Sequence, residues 1–167
     1  MSKPRDIVKF VREFKEENQK LDVLINNAGC MVNIRYMRKL TTPCIKLSAI
    51  FLRELTEDQI EKNFATNTLG TFLITSGLMN LLKKSEEPRV VTVSSGGMLV
   101  QQLNVDDLQF SKMSPFDGTM AYAQNKRQQV VMTEQWAREH TEVHFSVMHP
   151  GWADTPAVRN SMPGESN

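Results

Sequence analysis

The stretch Leu21-Asp-Val-Leu-Ile-Asn-Asn-Ala-Gly29 joins a short apolar run to a turn of small and polar residues. Its centre, Val23 to Ile25, has the aliphatic and β-branched composition of a strand, and the residues from Asn27 onward have the composition of a loop. An apolar run without alternation is typical of a parallel strand covered by helices. The stretch therefore predicts a parallel strand that ends at Asn26 and opens into a loop.

The segments around this stretch alternate between helical and strand patterns. Apolar residues recur at helical spacing once before it and twice after it, and Thr56 with Gln59 forms a capping-box pattern at the start of the second helix. In chain order we predict a helix over 6–17, a strand over 21–26, a helix over 56–82, a strand over 89–94, a helix over 120–140 and a strand over 143–148. This alternation predicts an α/β fold with a parallel sheet that crossover helices cover on both faces.

The composition is that of an ordinary globular domain. The 167 residues carry 20 basic and 19 acidic side chains, and a net charge of +1 gives no reason to expect a nucleic acid partner. The two cysteines and three histidines show no metal-ligand spacing, so we expect no metal. We see no signal peptide and no transmembrane run, so a cytoplasmic location is expected by default.

Residues able to do chemistry follow the predicted strands. Ligands of open α/β sheets bind at the carboxyl ends of the strands. The motifs in that position are Asn27-Ala28-Gly29 after the first strand, Ser94-Ser95 after the second, Tyr122 and Lys126 on the helix that follows, and Pro150-Gly151 with Thr155 after the third strand. Taken singly, each motif is also compatible with an ordinary turn, cap or helix surface.

The pair formed by Tyr122 and Lys126 has the most direct chemical interpretation. Residues four positions apart share one face of a helix, so the lysine ammonium is expected near the phenol. A neighbouring cation favours the phenolate and lowers the pKa of the phenol. A tyrosine tuned in this way can act as a general acid or base near neutral pH.

In their order and spacing, these motifs together resemble the short-chain dehydrogenase/reductase superfamily. The family's motifs are Asn-Asn-Ala-Gly, an asparagine on the next long helix, a serine after the next strand, Tyr-x-x-x-Lys, and Pro-Gly followed by a threonine. The helix asparagine matches Asn67 in Asn67-Thr-Leu-Gly70. The long separation between Ser95 and Tyr122 is similar to that of the retinol-dehydrogenase-like branch.

The resemblance implies a Rossmann-type, doubly wound parallel sheet. It also implies an NAD(P)-dependent oxidoreductase that interconverts a carbonyl and an alcohol by hydride transfer. The catalytic set that it implies is Ser95, which orients the carbonyl, Tyr122, which exchanges a proton with the substrate oxygen, Lys126, which lowers the pKa of Tyr122, and Asn67, which keeps a water in the proton relay.

The same resemblance implies the binding residues and the partners. The cofactor, NAD or NADP, would contact Asn27, Ala28, Gly29, Tyr122, Lys126, Pro150, Gly151 and Thr155. The substrate would be a small carbonyl or alcohol compound. A homodimer or heterodimer would form through the two long helices.

The sequence also departs from the family pattern. It lacks the family's first strands and the family's last strand. The Thr-Gly-x-x-x-Gly-x-Gly turn that follows the first strand is also missing, since none of the eight glycines forms it. The cofactor pyrophosphate normally lies on that turn. We therefore expect residues 1–167 to form a single incomplete Rossmann domain, a truncated or alternatively spliced form in which the strand ending at Asn26 has an unpaired edge. Without this turn the chain lacks much of the grip on the cofactor, so we expect it to be inactive on its own. The alternative to the oxidoreductase function is a truncated isoform that acts by associating with a full-length member of the family.

The chain between Gly29 and Asn67 is longer than in the family. Removing residues 34–52 restores the family spacing, so this segment is predicted to be an inserted loop. Its basic residues come early and its apolar residues late, so an amphipathic helix at a membrane surface is the alternative.

Overall fold

The computed structural model describes residues 1–33, 35–37 and 49–151. Their strands are β1 (Val23–Asn26), β2 (Arg35–Met37), β3 (Ala49–Phe51), β4 (Arg89–Val93) and β5 (His144–Met148). Their helices are α1 (Pro4–Glu17), a π-helical segment (Phe64–Leu69) that continues into α2 (Gly70–Leu82), a 3₁₀ helix (Gly96–Val100) and α3 (Gly118–Glu139).

Strands β1, β4 and β5 form a parallel sheet in the order β1-β4-β5. The register places Leu24 beside Val90 and Val90 beside Phe145. The predicted α/β fold, with its parallel sheet of three strands, is therefore confirmed. Because the strands are parallel, the loops that follow all three leave from the same edge of the sheet, and the candidate site lies at that edge.

The three α-helices lie against one face of this sheet. Leu24 packs with the residues of α1 and α2, Thr92 is hydrogen bonded to Thr133 of α3, and Phe145 stacks on Trp136 of α3. The prediction that helices cover both faces is wrong for the described part of the chain. On the other face the side chains of Val23 and Ile25 are 48% and 62% exposed, because no described helix packs there.

The helix predicted over 56–82 begins later than expected. Leu55 and Glu61 form an antiparallel bridge around a tight turn, and Gln59 in that turn has a φ of 61°. Thr56 closes the turn by accepting hydrogen bonds from Gln59 and Ile60, so the predicted capping box does not form there. A capping box is a local pattern, and the bridge between Leu55 and Glu61 overrides it.

Glu61 is the residue that caps the true start of this helix. Its carboxylate is fully buried and accepts hydrogen bonds from the backbone nitrogens of Asn63 (3.0 Å) and Phe64 (2.6 Å). Burial raises the pKa of Glu61, and these hydrogen bonds act in the opposite direction. An acidic group at a helix N-terminus is favourable because the free N–H groups there carry partial positive charge.

Helix α1 packs on α2 through an apolar contact. Ile7 and Val11 lie against Leu78 and Leu81. A Cβ on Gly77 would lie 2.7 Å from Cγ1 of Val11, so only glycine permits this close approach of the two helices.

The segment 34–52 contains strand pairing at its two ends. Strands β2 and β3 are antiparallel neighbours, with Tyr36 opposite Ile50. These strands lie within the segment that is predicted to be an inserted loop, and its status as an insertion stays a prediction. Residue 34 and residues 38–48 lie outside the described residues, as do residues 152–167 with the predicted cofactor residue Thr155.

Within the ranges given above, the helices are too short or too polar to cross a membrane.

Candidate active site

The predicted catalytic residues come together where β1 and β4 end. Asn67 lies in the π-helical segment, Tyr122 and Lys126 lie on α3, and Ser95 follows β4. A Cβ placed on Gly29 would lie 3.0 Å from Oδ1 of Asn67 and 3.6 Å from Nζ of Lys126. The loop after β1 therefore lies directly against the side chains of Asn67 and Lys126, which are two of the predicted catalytic residues.

Lys126 is buried at the centre of this group. Its side chain is 4% exposed, and its Nζ donates hydrogen bonds to the carbonyl of Val93 (2.9 Å) and to Oε1 of Gln129 (3.0 Å). The same nitrogen lies 5.4 Å from the centre of the Tyr122 ring. Burial lowers the pKa of Lys126 to about 8, because the ammonium loses most of its hydration.

Tyr122 is half-buried, and its pKa is raised. Burial is the main cause, and the hydroxyl of Ser95 beside the phenol acts in the opposite direction. Lys126 is not among the causes of this shift, so its predicted effect on the pKa of Tyr122 stays a prediction. The ammonium lies over the ring, and desolvation of the phenol outweighs the favourable contacts around it.

The two adjacent serines have different roles. Ser94 is buried and donates a hydrogen bond to the main-chain carbonyl of Lys126 (2.9 Å), which ties β4 to α3. Ser95 accepts a hydrogen bond from the backbone nitrogen of Gly97 (3.3 Å) and caps the 3₁₀ helix. This bond uses an acceptor position, so the hydroxyl hydrogen of Ser95 points to the neighbouring phenol of Tyr122.

Asn67 clamps the loop after β1 through its side chain. Its Oδ1 accepts from the backbone nitrogen of Cys30 (2.8 Å) and its Nδ2 donates to the Cys30 carbonyl (2.7 Å). Asn63 repeats this clamp one turn earlier, at the backbone nitrogen (2.6 Å) and carbonyl (3.0 Å) of Val32. The sequence analysis did not predict Asn63 as a site residue, although its position four residues before Asn67 places it on the same helical face.

The main-chain carbonyl of Asn67 faces α3. It accepts hydrogen bonds from Nε2 of Gln129 (2.7 Å) and from the hydroxyl of Thr71 (2.7 Å). The π-helical turns around Asn67 depart from the ordinary α-helical hydrogen-bond pattern, and such turns are frequent at functional sites. Gln129 was also missed from the sequence, where it is one of several polar residues on α3.

The start of α3 is fixed by local and long-range bonds. Asp117 caps the helix by accepting from the backbone nitrogens of Thr119 (2.9 Å) and Met120 (3.1 Å). Asn33 accepts a hydrogen bond from the backbone nitrogen of Gly118 (3.1 Å), which joins the loop after β1 to α3. These bonds hold Tyr122, on the first turns of α3, close to the loop after β1.

Five of the predicted cofactor residues lie on exposed loops. Asn27, Ala28 and Gly29 are exposed after β1, and Pro150 and Gly151 are exposed after β5. The loop after β5 is tied to the loop after β4, because Nδ1 of His149 accepts a hydrogen bond from the nitrogen of Gly96 (3.1 Å). Gly151 has a φ of +79°, a conformation that glycine adopts without strain.

Two surface cavities lie outside the catalytic group. One, of about 410 Å³, is lined by Gln124 of α3 and by residues of the segment between Gln101 and Met113. The other, of about 450 Å³, lies at the opposite end of β4 and β5 beside Arg89 and His144. Neither contains Tyr122 or Lys126, so the candidate site is identified by its converging side chains rather than by a cavity.

The parallel sheet of β1, β4 and β5, with its helices, is part of a Rossmann-type α/β fold. The family model described as short chain dehydrogenase matches residues 1–107. The chain belongs to the short-chain dehydrogenase family, and the resemblance seen in the sequence is confirmed.

The chain is similar to several curated proteins of this family. It is 60% identical over 164 residues to human dehydrogenase/reductase SDR family member 12, and this match covers 98% of the chain and 45% of that protein. It is 36% identical over 158 residues to human retinol dehydrogenase 14, covering 93% of the chain and 41% of that protein. The chain thus spans less than half the length of these relatives.

Solved structures share the fold. The short chain dehydrogenase from Shigella flexneri matches with a TM-score of 0.66 at 18% identity, over 98% of this chain and 53% of that one. The alcohol dehydrogenase from Thermococcus sibiricus, complexed with 5-hydroxy-NADP, matches with a TM-score of 0.60 at 20% identity, over 92% of this chain and 52% of that one. At these identities the likeness concerns the fold alone.

Proposed function

We propose that this chain carries the catalytic half of an NAD(P)-dependent oxidoreductase that interconverts a carbonyl and an alcohol. The observation that carries the proposal is the convergence of Tyr122, Ser95, Lys126 and Asn67 beside Gly29 at the carboxyl edge of the sheet. In an open α/β sheet this edge is where ligands bind.

The residues present fit the nicotinamide end of a dinucleotide. Nζ of Lys126 has three N–H donors, and the described residues use two of them. The third can donate to a ribose hydroxyl. Gly29 leaves open the space where a Cβ would lie, 3.6 Å from that nitrogen. When bound, the nicotinamide nucleotide, NAD or NADP, supplies or accepts the hydride.

Tyr122 and Ser95 act on the substrate oxygen in this proposal. The raised pKa of Tyr122 keeps the phenol protonated near neutral pH, so Tyr122 can give its proton to a carbonyl oxygen as hydride arrives at the carbon. Ser95, whose hydroxyl lies beside the phenol, can donate to the same oxygen when a substrate is bound. Lys126 holds positive charge close to both groups, and that charge is lost as the pH rises through its pKa of about 8.

The test is a fluorescence titration of the purified chain with NADPH and NADH. We expect saturable binding that Lys126→Ala weakens by about 10-fold or more, the loss for a hydrogen bond to a charged group. The control Lys62→Ala removes a lysine that pairs with Glu54 on the surface (2.5 Å) and should leave binding unchanged. A folded chain that binds neither nucleotide would overturn the proposal for this chain.

Turnover is tested separately with Tyr122→Phe. This variant removes only the phenolic oxygen, so any carbonyl reduction by the wild-type chain should fall by about 100-fold or more. Reduction that survives in Tyr122→Phe would assign the proton transfer to another group.

A second candidate function is association with a full-length relative. The favouring observations are two separate areas of exposed apolar surface. Val23 and Ile25 are exposed on the uncovered face of the sheet, and Phe72 of α2 is 43% exposed where it stacks on Trp136 of α3. Exposed apolar surface of this kind can mark interaction sites. Association through α2 and α3 predicts capture of a full-length relative in a pull-down, and Phe72→Lys should reduce it. A folded chain that captures no relative would remove this candidate.

A further inference from the structure

Gln129 joins two predicted catalytic residues through a single buried side chain. Its Oε1 accepts a hydrogen bond from Nζ of Lys126 (3.0 Å). Its Nε2 donates to the main-chain carbonyl of Asn67 (2.7 Å) and to the hydroxyl of Thr71 (3.2 Å). Gln129 is 1% exposed, so water does not compete for these positions from bulk solvent.

The chemistry of the partners fixes the orientation of the amide. An ammonium only donates, so the atom that faces Lys126 must be the amide oxygen. A main-chain carbonyl only accepts, so the atom that faces Asn67 must be the amide nitrogen. The described hydrogen bonds use both ends of the amide. A flipped amide would place its NH₂ group against the ammonium of Lys126 and its oxygen against the carbonyl of Asn67.

The remaining neighbours of Lys126 leave Gln129 as its main side-chain anchor. Apart from Gln129, its hydrogen-bond acceptor among the described residues is the main-chain carbonyl of Val93 (2.9 Å). The titratable groups that face it are Tyr122 on its own helix and Cys30 on the loop after β1. Burial raises the pKa of the Cys30 thiol, so it brings no negative charge to Lys126 at neutral pH.

We propose that Gln129 is a positioning residue, whose amide holds the Lys126 ammonium beside Tyr122 and Gly29 by anchoring it to the main chain of Asn67. The inference rests on the proposed function for the role of Lys126. It also changes the part expected of Asn67: the family resemblance implies a bound water next to this residue, whereas here a side chain makes the link between Asn67 and Lys126.

The test follows the Nζ nitrogen of Lys126 by NMR as a function of pH in chain labelled with ¹⁵N-lysine. The Lys126 signal is assigned by its absence in Lys126→Ala. Gln129→Met removes the acceptor at similar volume, so the titration midpoint should fall by about one unit from the wild-type value. Gln129→Glu places a carboxylate oxygen beside Nζ, so the midpoint should rise. The opposite signs separate anchoring from a general change in packing.

The matched control is Gln128→Met. Gln128 lies on the same helix, is also buried, and is bonded to Thr68 (2.6 Å) and Asn125 (3.1 Å) rather than to Lys126. Its substitution should leave the Lys126 midpoint unchanged. Folding of each variant is checked by circular dichroism, and Gln129→Glu alone decides the question if Gln129→Met does not fold.

A midpoint that stays at the wild-type value in folded Gln129→Glu would overturn the assignment. The nucleotide titration separates this failure from failure of the proposed function. A wild-type chain that binds no nucleotide, with shifted midpoints in the Gln129 variants, would refute the proposed function and leave the anchoring of Lys126 established. If nucleotide binds, Gln129→Met should weaken it more at pH 8 than at pH 6, a pH dependence that a purely structural role would not produce.

Discussion

The side-chain nitrogen of Lys126 lies 5.4 Å from the centre of the Tyr122 ring, within the range of a cation–π contact. One turn of α3 separates the two residues, so the helix itself fixes the distance. The contact places a buried ammonium against an aromatic face rather than in water. The pKa of Lys126 is lowered to about 8 as a result of that burial, which brings its titration close to physiological pH.

The first prediction concerns the free energy of unfolding that is lost because the Lys126 ammonium is buried. Its pKa is about 8 in the folded state, whereas a solvated lysine has an ordinary pKa of 10.5, so the unfolded chain binds more protons between these values. The free energy of unfolding should therefore rise as pH rises through this window, by up to about 3 kcal/mol from this residue. Lys126→Met should lack this rise in denaturant titrations at pH 7 and pH 9.5. Equal pH slopes in the two proteins would show that Lys126 is hydrated in solution.

The sheet and the Tyr122 and Lys126 pair were predictable because their signals are local. Apolar runs define strands, and a separation of four residues defines a helical face. The order of the motifs along the chain was enough to indicate the family, and the family model confirms it.

Features that depend on distant contacts were not predictable. The sequence pattern at Thr56 indicates a helix start, but the bridge between Leu55 and Glu61 bends the chain first. The side of the sheet that helices cover follows from packing, since Val23 and Ile25 have the same composition as buried strand residues. In the sequence, Gln129 is one of several polar residues on α3. Only the structure shows that its amide donates to the main-chain carbonyl of Asn67.

The second prediction concerns the buried carboxylate of Glu61. Glu61→Ala removes the acceptor of two backbone N–H groups at the start of the π-helical segment. We expect a loss of about 2–4 kcal/mol in the free energy of unfolding, because capping and burial costs add. Glu54→Ala is the control: Glu54 pairs with Lys62 near the surface and should cost about 1 kcal/mol or less. Similar losses in the two variants would exclude Glu61 as the cap.

The third prediction concerns Trp136, which joins α3 to its neighbours. Its ring stacks on Phe72 of α2 and on Phe145 of β5, with 6.2 Å between ring centres in both pairs. Trp136→Ala should lower the free energy of unfolding by about 3–5 kcal/mol, as expected for loss of a buried aromatic side chain. Phe10→Ala, at a half-exposed position on α1, should cost clearly less in the same denaturant titration. Comparable costs would mean that the described stack does not hold α3 to the sheet.

The last prediction tests which face of the sheet is covered, using two neighbours on β1. Leu24 packs against α1 and α2, so Leu24→Lys should lower the free energy of unfolding by about 3 kcal/mol or more, because it places a charge in an apolar contact. Ile25 points to the opposite face and is 62% exposed. Ile25→Lys should therefore change the stability by less than about 1 kcal/mol.

The same pair of variants distinguishes an open face from one that forms an interface. If Ile25 is exposed in solution, Ile25→Lys also reduces any self-association seen by sedimentation, because it breaks an apolar patch. If Ile25→Lys instead destabilises the fold as much as Leu24→Lys, another part of the chain or a second molecule covers this face. The contrast depends on one step of register along β1, since successive side chains of a strand point to opposite faces of its sheet.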